Sequence, residues 1–227
     1  MNPVTPLFGF ILGMEHALEP DHLAVAGVVS QRRNPWRSAA SCLFWGLGHS
    51  SILVVLGLAV LLLGLSLPPW MDTFAQFAVG GTLVLLGMVL GWRLVRHPAR
   101  NRNQAIPAPE FHMNVMGNWG FFLIGNLHGL AGGGTLMLLI VSTINSLASG
   151  FLFLSLFALS SVLGVILVAV ALTVPYRVRA FRLKGLHAGM ASLVSLFSVF
   201  LGASMMWTSV TAGLLFESAR LPLFPAG

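Results

Sequence analysis

The sequence predicts an all-α integral membrane protein whose six transmembrane helices form two inverted three-helix repeats, with the N-terminus and the C-terminus extracytoplasmic. Three observations carry that expectation. Of the 227 residues, 56% are hydrophobic and only 8% are charged, against about 25% charged in a soluble domain, and the mean hydropathy is +0.88. The chain contains six apolar runs, each at or above the length of about 20 residues that crosses about 30 Å of hydrocarbon as a helix. The basic residues fall into alternate connections between those runs.

The first run, Val4 to Val29, is interrupted by an acidic and histidine-rich stretch but has no basic segment before it, so it reads as a span and not as a removable leader. The second, Ser38 to Leu65, stops before Pro68 and Pro69, and the third runs from Thr73 to Val95. Asn118 to Ile144, Leu147 to Val174 and Leu186 to Leu214 complete the set. Residues 1–96 then form the first repeat and 97–117, with Pro98, Pro107 and Pro109, a cytoplasmic linker. Residues 118–227 form the second repeat and a C-terminal tail.

Arg32, Arg33 and Arg37 follow the first span; Arg93, Arg96, Arg100 and Arg102 follow the third; Arg177, Arg179, Arg182 and Lys184 follow the fifth. Lysine and arginine accumulate on the cytoplasmic side, so these three connections belong there. The formal charge of +6 is accounted for in this way and requires no nucleic-acid partner. A single cysteine, Cys42, excludes an intramolecular disulfide and a cysteine-pair redox relay.

Phe10 to Leu18 can be laid on Phe122 to Leu130, both reading Phe followed by Gly-x-x-His-x-Leu. Gly13, His16 and Leu18 match Gly125, His128 and Leu130; farther on, Ser30 matches Ser142 and Trp45 matches Phe157. The two copies lie on the first and fourth spans, so they run in opposite directions. That is the sequence mark of a transporter whose substrate site lies near mid-membrane where the halves meet.

The chemistry concentrates in Glu15-His-Ala-Leu-Glu-Pro-Asp-His22. Ionisable groups cost roughly 2.5 to 3.5 kcal/mol each at the centre of a span, so such a set needs partners, and two imidazoles with carboxylates suit a divalent cation. On an unbroken helix His16 and His22 point about 120° apart. Pro20 has no N–H and disfavours helical geometry at Glu19, so the helix is expected to open there, free the His16 carbonyl and swing His16, Asp21 and His22 together. Imidazole and carboxylate favour borderline ions such as Ni(II), Co(II), Zn(II) or Cu(II) over hard Mg(II) or Ca(II).

Two further polar points lie on other spans. Gly46-Leu-Gly-His49-Ser50-Ser51 sets a histidine among small residues that let helices approach, so His49 is expected to reach the first-span set, as a fourth metal-binding residue or by holding Asp21 with a hydrogen bond. Gly125-Asn126-Leu-His128-Gly-Leu-Ala-Gly132-Gly133-Gly134 places Asn126 and His128 beside a run of three glycines. In the repeat those glycines fall opposite Pro20, Asp21 and His22 and act with Pro20 as backbone hinges. Glu15, Glu19, Ser50, Asn126 and His128 are assigned supporting or pathway roles.

The chain resembles the nickel/cobalt transporter family, and in size its six-span UreH-like relatives. One signature of that family is similar to His-Ala-x-Asp-Ala-Asp-His, fitted by His16, Ala17, Asp21 and His22, with Glu19 in place of Asp and Pro20 in place of Ala. Another is similar to Gly-His-Ser-Ser/Thr, fitted by Gly48, His49, Ser50 and Ser51. The later acidic signature of eight-span members is absent. The resemblance implies Ni(II) or Co(II) uptake across the cytoplasmic (inner) membrane of a bacterium, with metal as the substrate and no prosthetic group. Membrane lipid and the transported ion are the expected partners; a homo-oligomer or a further subunit is left open.

An enzyme is not expected, since the chain has no His-Glu-x-x-His and no paired cysteines. The competing classes are metal efflux, transport of another small solute or anion, and a non-transporting accessory subunit of a metalloenzyme assembly. The 97–117 linker lacks a histidine-rich tract, which favours uptake.

Overall fold

The computed structural model describes residues 4–31, 35–64, 68–96, 113–131, 144, 146–173 and 186–220. Its seven helices are α1 (Val4–His16), α2 (Pro20–Ser30), α3 (Pro35–Leu63), α4 (Pro69–Arg96), α5 (Met113–Ala131), α6 (Leu147–Thr173) and α7 (Leu186–Arg220). Four of them, α3, α4, α6 and α7, are long and apolar enough to cross a membrane. The protein is an all-helical, multi-pass membrane protein.

The first apolar run is two helices, not one. Glu19 adopts an extended backbone (φ −60°, ψ 148°) and Pro20 opens α2, the conformation that a residue before proline prefers and the helical position that proline tolerates best. α1 closes with tight turns, Leu18 N–H donating to the Glu15 carbonyl at 2.9 Å and Glu19 N–H to the His16 carbonyl at 3.1 Å. The His16 carbonyl is therefore not freed as the sequence suggests. Buried backbone acceptors find donors, and a tightened turn supplies one that Pro20 cannot.

The helices α3, α4, α6 and α7 lie where the second, third, fifth and sixth apolar runs are expected, with shifted ends, and α5 covers the described part of the fourth. α5 begins at Met113, so the last five residues assigned to the linker, 113–117, are helical, because an apolar Met-Asn-Val-Met stretch continues the helix backwards. α7 runs on to Arg220. Residues 97–112, the Gly132–Gly134 hinge, Ser142 and the tail beyond Arg220 lie outside the described residues.

α1 packs on α6, α3 on α5 and α6, and α4 on α7, while α2 is wedged against α3, α4, α6 and α7. Glycines set the closest crossings. A Cβ on Gly13 would collide with the Phe157 carbonyl of α6, and one on Gly125 with the Trp45 carbonyl of α3. α4 and α7 are tied by Ser195 Oγ, which donates to the Gly87 carbonyl at 2.8 Å. The core these contacts enclose includes Ala17, Val25, Trp45, Leu83, Phe121 and Val165.

Trp36, Trp70, Trp92, Trp119 and Trp207 are all exposed on the outside of this bundle; amphipathic rings of this kind are enriched near membrane–water boundaries. Trp70 and Trp92 on α4 are separated by about 33 Å of helix, close to the thickness of the hydrocarbon core. The Arg96 guanidinium sits 4.2 Å over the Trp92 ring. The sixth tryptophan, Trp45, is fully buried.

Candidate metal centre

The break between α1 and α2 turns His16 and His22 toward each other. His16 ends α1, His22 stands in the first turn of α2, and their ring centroids are 4.5 Å apart, which a continuous helix cannot achieve. α3 brings His49 to the same point, 5.1 Å from His16 and 4.9 Å from His22 between ring centroids. All three side chains are buried. The nitrogens they can offer to an ion lie within 4.8 Å of one another.

Carboxylates fix how these rings present themselves. Glu19 Oε1 accepts a hydrogen bond from His16 Nδ1 at 2.8 Å, and Asp21 Oδ1 accepts one from His22 Nδ1 at 3.0 Å. A neutral imidazole whose Nδ1–H is so committed presents the Nε2 lone pair on the opposite side. His22 Nε2 has no hydrogen-bond partner among the described residues. His16 Nε2 faces His49 Nε2 at 2.9 Å, where the His49 N–H donates and leaves the His49 Nδ1 bare; that atom too has no partner among the described residues.

The carboxylates lie on the outer side of the imidazoles. The Glu19 side chain is 51% exposed and that of Asp21 19%, while His22 is 1% exposed. Glu19, Asp21 and His22 form a second set of ligand atoms within 4.8 Å of one another. Asp21 is thus brought to the δ side of His22, as its hydrogen-bond partner. Glu15 lies exposed.

The supporting residues divide. Ser50 is buried, and its hydroxyl donates to the Ala158 carbonyl of α6 at 3.3 Å, so it ties α3 to α6. Asn126 donates from Nδ2 to the Phe122 carbonyl at 3.0 Å, and its Oδ1 accepts from Ser51 Oγ at 3.4 Å. His128 donates from Nδ1 to the Ile124 carbonyl at 3.0 Å.

The sequence alone does not single out Trp45 as a site residue, although its match to Phe157 is a signal. Its indole stacks on His49 (5.3 Å, 18°) and meets His22 (5.0 Å) and His128 (5.3 Å) nearly edge-on. Phe157 lies 5.3 Å from His16. The histidine cluster is therefore walled by two large aromatic rings from α3 and α6, an apolar surround that strengthens the electrostatic interactions inside it.

No family profile matches the chain, and no solved structure matches it. The chain is similar to the urease accessory protein UreH of Bacillus sp. (strain TB-90), 29% identical over 211 residues that cover 91% of this chain and 92% of that protein. It is also similar to the chloroplast protein FOR GROWTH AND FERTILITY 1 of Arabidopsis thaliana, 29% identical over 170 residues covering 69% of this chain and 46%, about half, of that one. The first similarity extends along nearly the whole of both chains and bears out the UreH-like resemblance carried by the two histidine motifs.

Proposed function

We propose that this UreH-like membrane protein is a permease that takes up a divalent transition-metal ion, Ni(II) or Co(II), through a site formed by His16, Asp21, His22 and His49. One observation carries the reading: three buried imidazoles from two broken half-helices and a neighbouring helix converge, two of them held at Nδ1 by carboxylates. That carboxylate–histidine arrangement orients a metal-binding imidazole and raises its basicity. Two nitrogens about 2.0–2.1 Å from a borderline ion stand about 2.9 Å apart when they subtend a right angle. The His16–His49 separation of 2.9 Å matches that spacing, and an ion that replaces the shared proton turns each ring so that its lone pair leaves the line between the two nitrogens.

The break supplies the depth. α1 and α2 contribute about 20 Å and about 16 Å of helix, which sets their junction near the middle of the hydrocarbon. Irregular backbone at that depth is tolerated where it lines a cavity, and discontinuous helices are how transporters build substrate sites.

Six spans in two inverted repeats account for the packing. With His16 matched to His128 and Trp45 to Phe157, the contact of α1 with α6 becomes the counterpart of the contact of α5 with α3. The His16–Phe157 and His128–Trp45 ring separations are both 5.3 Å. The Gly13 and Gly125 crossings lie against Phe157 and Trp45 in the same exchange. Three cytoplasmic basic connections then place both termini outside, in the inner membrane of a bacterium.

The similarity to a urease accessory protein favours nickel, the metal a urease needs, and a membrane route that delivers it. It also suits a non-transporting subunit that docks such an assembly. Purified protein in liposomes separates the two: the permease carries Ni(II) into the lumen and the docking subunit does not. In cells, expression raises nickel content, and His16→Ala, His22→Ala or His49→Ala returns it to the background with the protein still present in the membrane. Lowered cell nickel on expression would instead mean efflux, and wild-type accumulation in all three variants would remove the metal reading.

A further inference from the structure

We propose that His128 is a second station for the permeating ion, distinct from the three-imidazole site and in touch with it through Trp45. The proposal rests on the permease reading. His128 is 2% exposed, its Nδ1 donates to the Ile124 carbonyl at 3.0 Å, and its Nε2 has no hydrogen-bond partner among the described residues. A buried acceptor of this kind calls for an occupant. An imidazole fixed at Nδ1 by a backbone carbonyl, with a bare Nε2, is oriented as metal-binding histidines are.

His128 does not join the set of nitrogens within 4.8 Å of one another that His16, His22 and His49 form, so an ion on its Nε2 is not one that those three imidazoles hold together. The two positions share a wall. The Trp45 indole is 5.0 Å from His22 and 5.3 Å from His128 between ring centroids. Its N–H is buried without a partner among the described residues, but it is a donor and no ligand for a cation, so Trp45 is a positioning residue.

Permeation gives the second station a purpose. An ion must be bound well enough to enter and weakly enough to leave, and sites in series satisfy both demands. Three imidazoles hold a borderline cation tightly; one imidazole completed by water holds it weakly and passes it on. His128 is also the position that matches His16 in the other half of the chain, where an exchange of sides would deliver the ion.

The test compares wild type and His128→Gln, both full-length, by Co(II) and Ni(II) titration in detergent and by Ni(II) flux into liposomes. Wild type binds two equivalents, the second at least tenfold more weakly. His128→Gln loses the second equivalent, keeps the first within about threefold of the wild-type Kd, and carries at least tenfold less flux. Unchanged flux and two equivalents in the variant overturn the proposal, and so does a variant whose first equivalent weakens as far as in His16→Ala, since His128 is then a fourth ligand of one site. If the variant does not fold, saturation of wild type at a single equivalent is the overturning result. Absence of both binding and flux in wild type defeats the permease reading itself, and the second station with it.

Discussion

Glu19 and Asp21 are neighbours in sequence of the two histidines they hold, and neither inserts between the imidazoles. Their contribution is to fix tautomer and direction, so Glu19→Gln and Asp21→Asn are expected to weaken Ni(II) binding by about 10- to 100-fold, measured by titration of purified protein. Protons compete with the metal for the same nitrogens. Affinity is therefore expected to fall as the solution is acidified; a Kd unchanged from pH 8 to pH 5 would contradict imidazole ligation. His16, Asp21, His22 and His49 are legible because ionisable residues in apolar runs stand out. Trp45 is not, since a tryptophan in a hydrophobic helix has the same pattern whether it faces lipid, as Trp92 does, or walls a site.

At the scale of the element, the decisive feature is the extended residue before Pro20. Proline chemistry alone locates this break in the sequence, but not the i+3 turn that reclaims the His16 carbonyl, because which donor satisfies a freed acceptor depends on how the chain turns afterwards. Pro20→Ala restores the N–H and lets α1 run on into α2, pointing His16 and His22 about 120° apart. The expected outcome is at least tenfold weaker Ni(II) binding by protein that still inserts in the membrane, measured by titration in detergent. Gly125→Leu acts oppositely. Its side chain drives into the Trp45 carbonyl, overpacking costs about 1–3 kcal/mol or more, and the apparent melting temperature of the purified protein falls by several degrees.

For the whole molecule, apolar run lengths identify the membrane class; of the two runs that do not stand among the four long helices, one is split at Pro20 and the other is described in its first part, to Ala131. Trp70 and Trp92, both exposed on α4, stand apart by a length of helix that fits a bilayer. Alkaline phosphatase fused after Gly227 is expected to be active and a fluorescent reporter inserted at residue 105 to be fluorescent, as six spans with outside termini require; an inactive C-terminal fusion would break that parity. In the proposed site the helix break gathers three imidazoles around one ion. Crystals grown with Ni(II) decide this by anomalous scattering: a peak is expected about 2.1 Å from ring nitrogens of His16, His22 and His49, and a nickel peak bound elsewhere, with these three rings left uncoordinated, would contradict it.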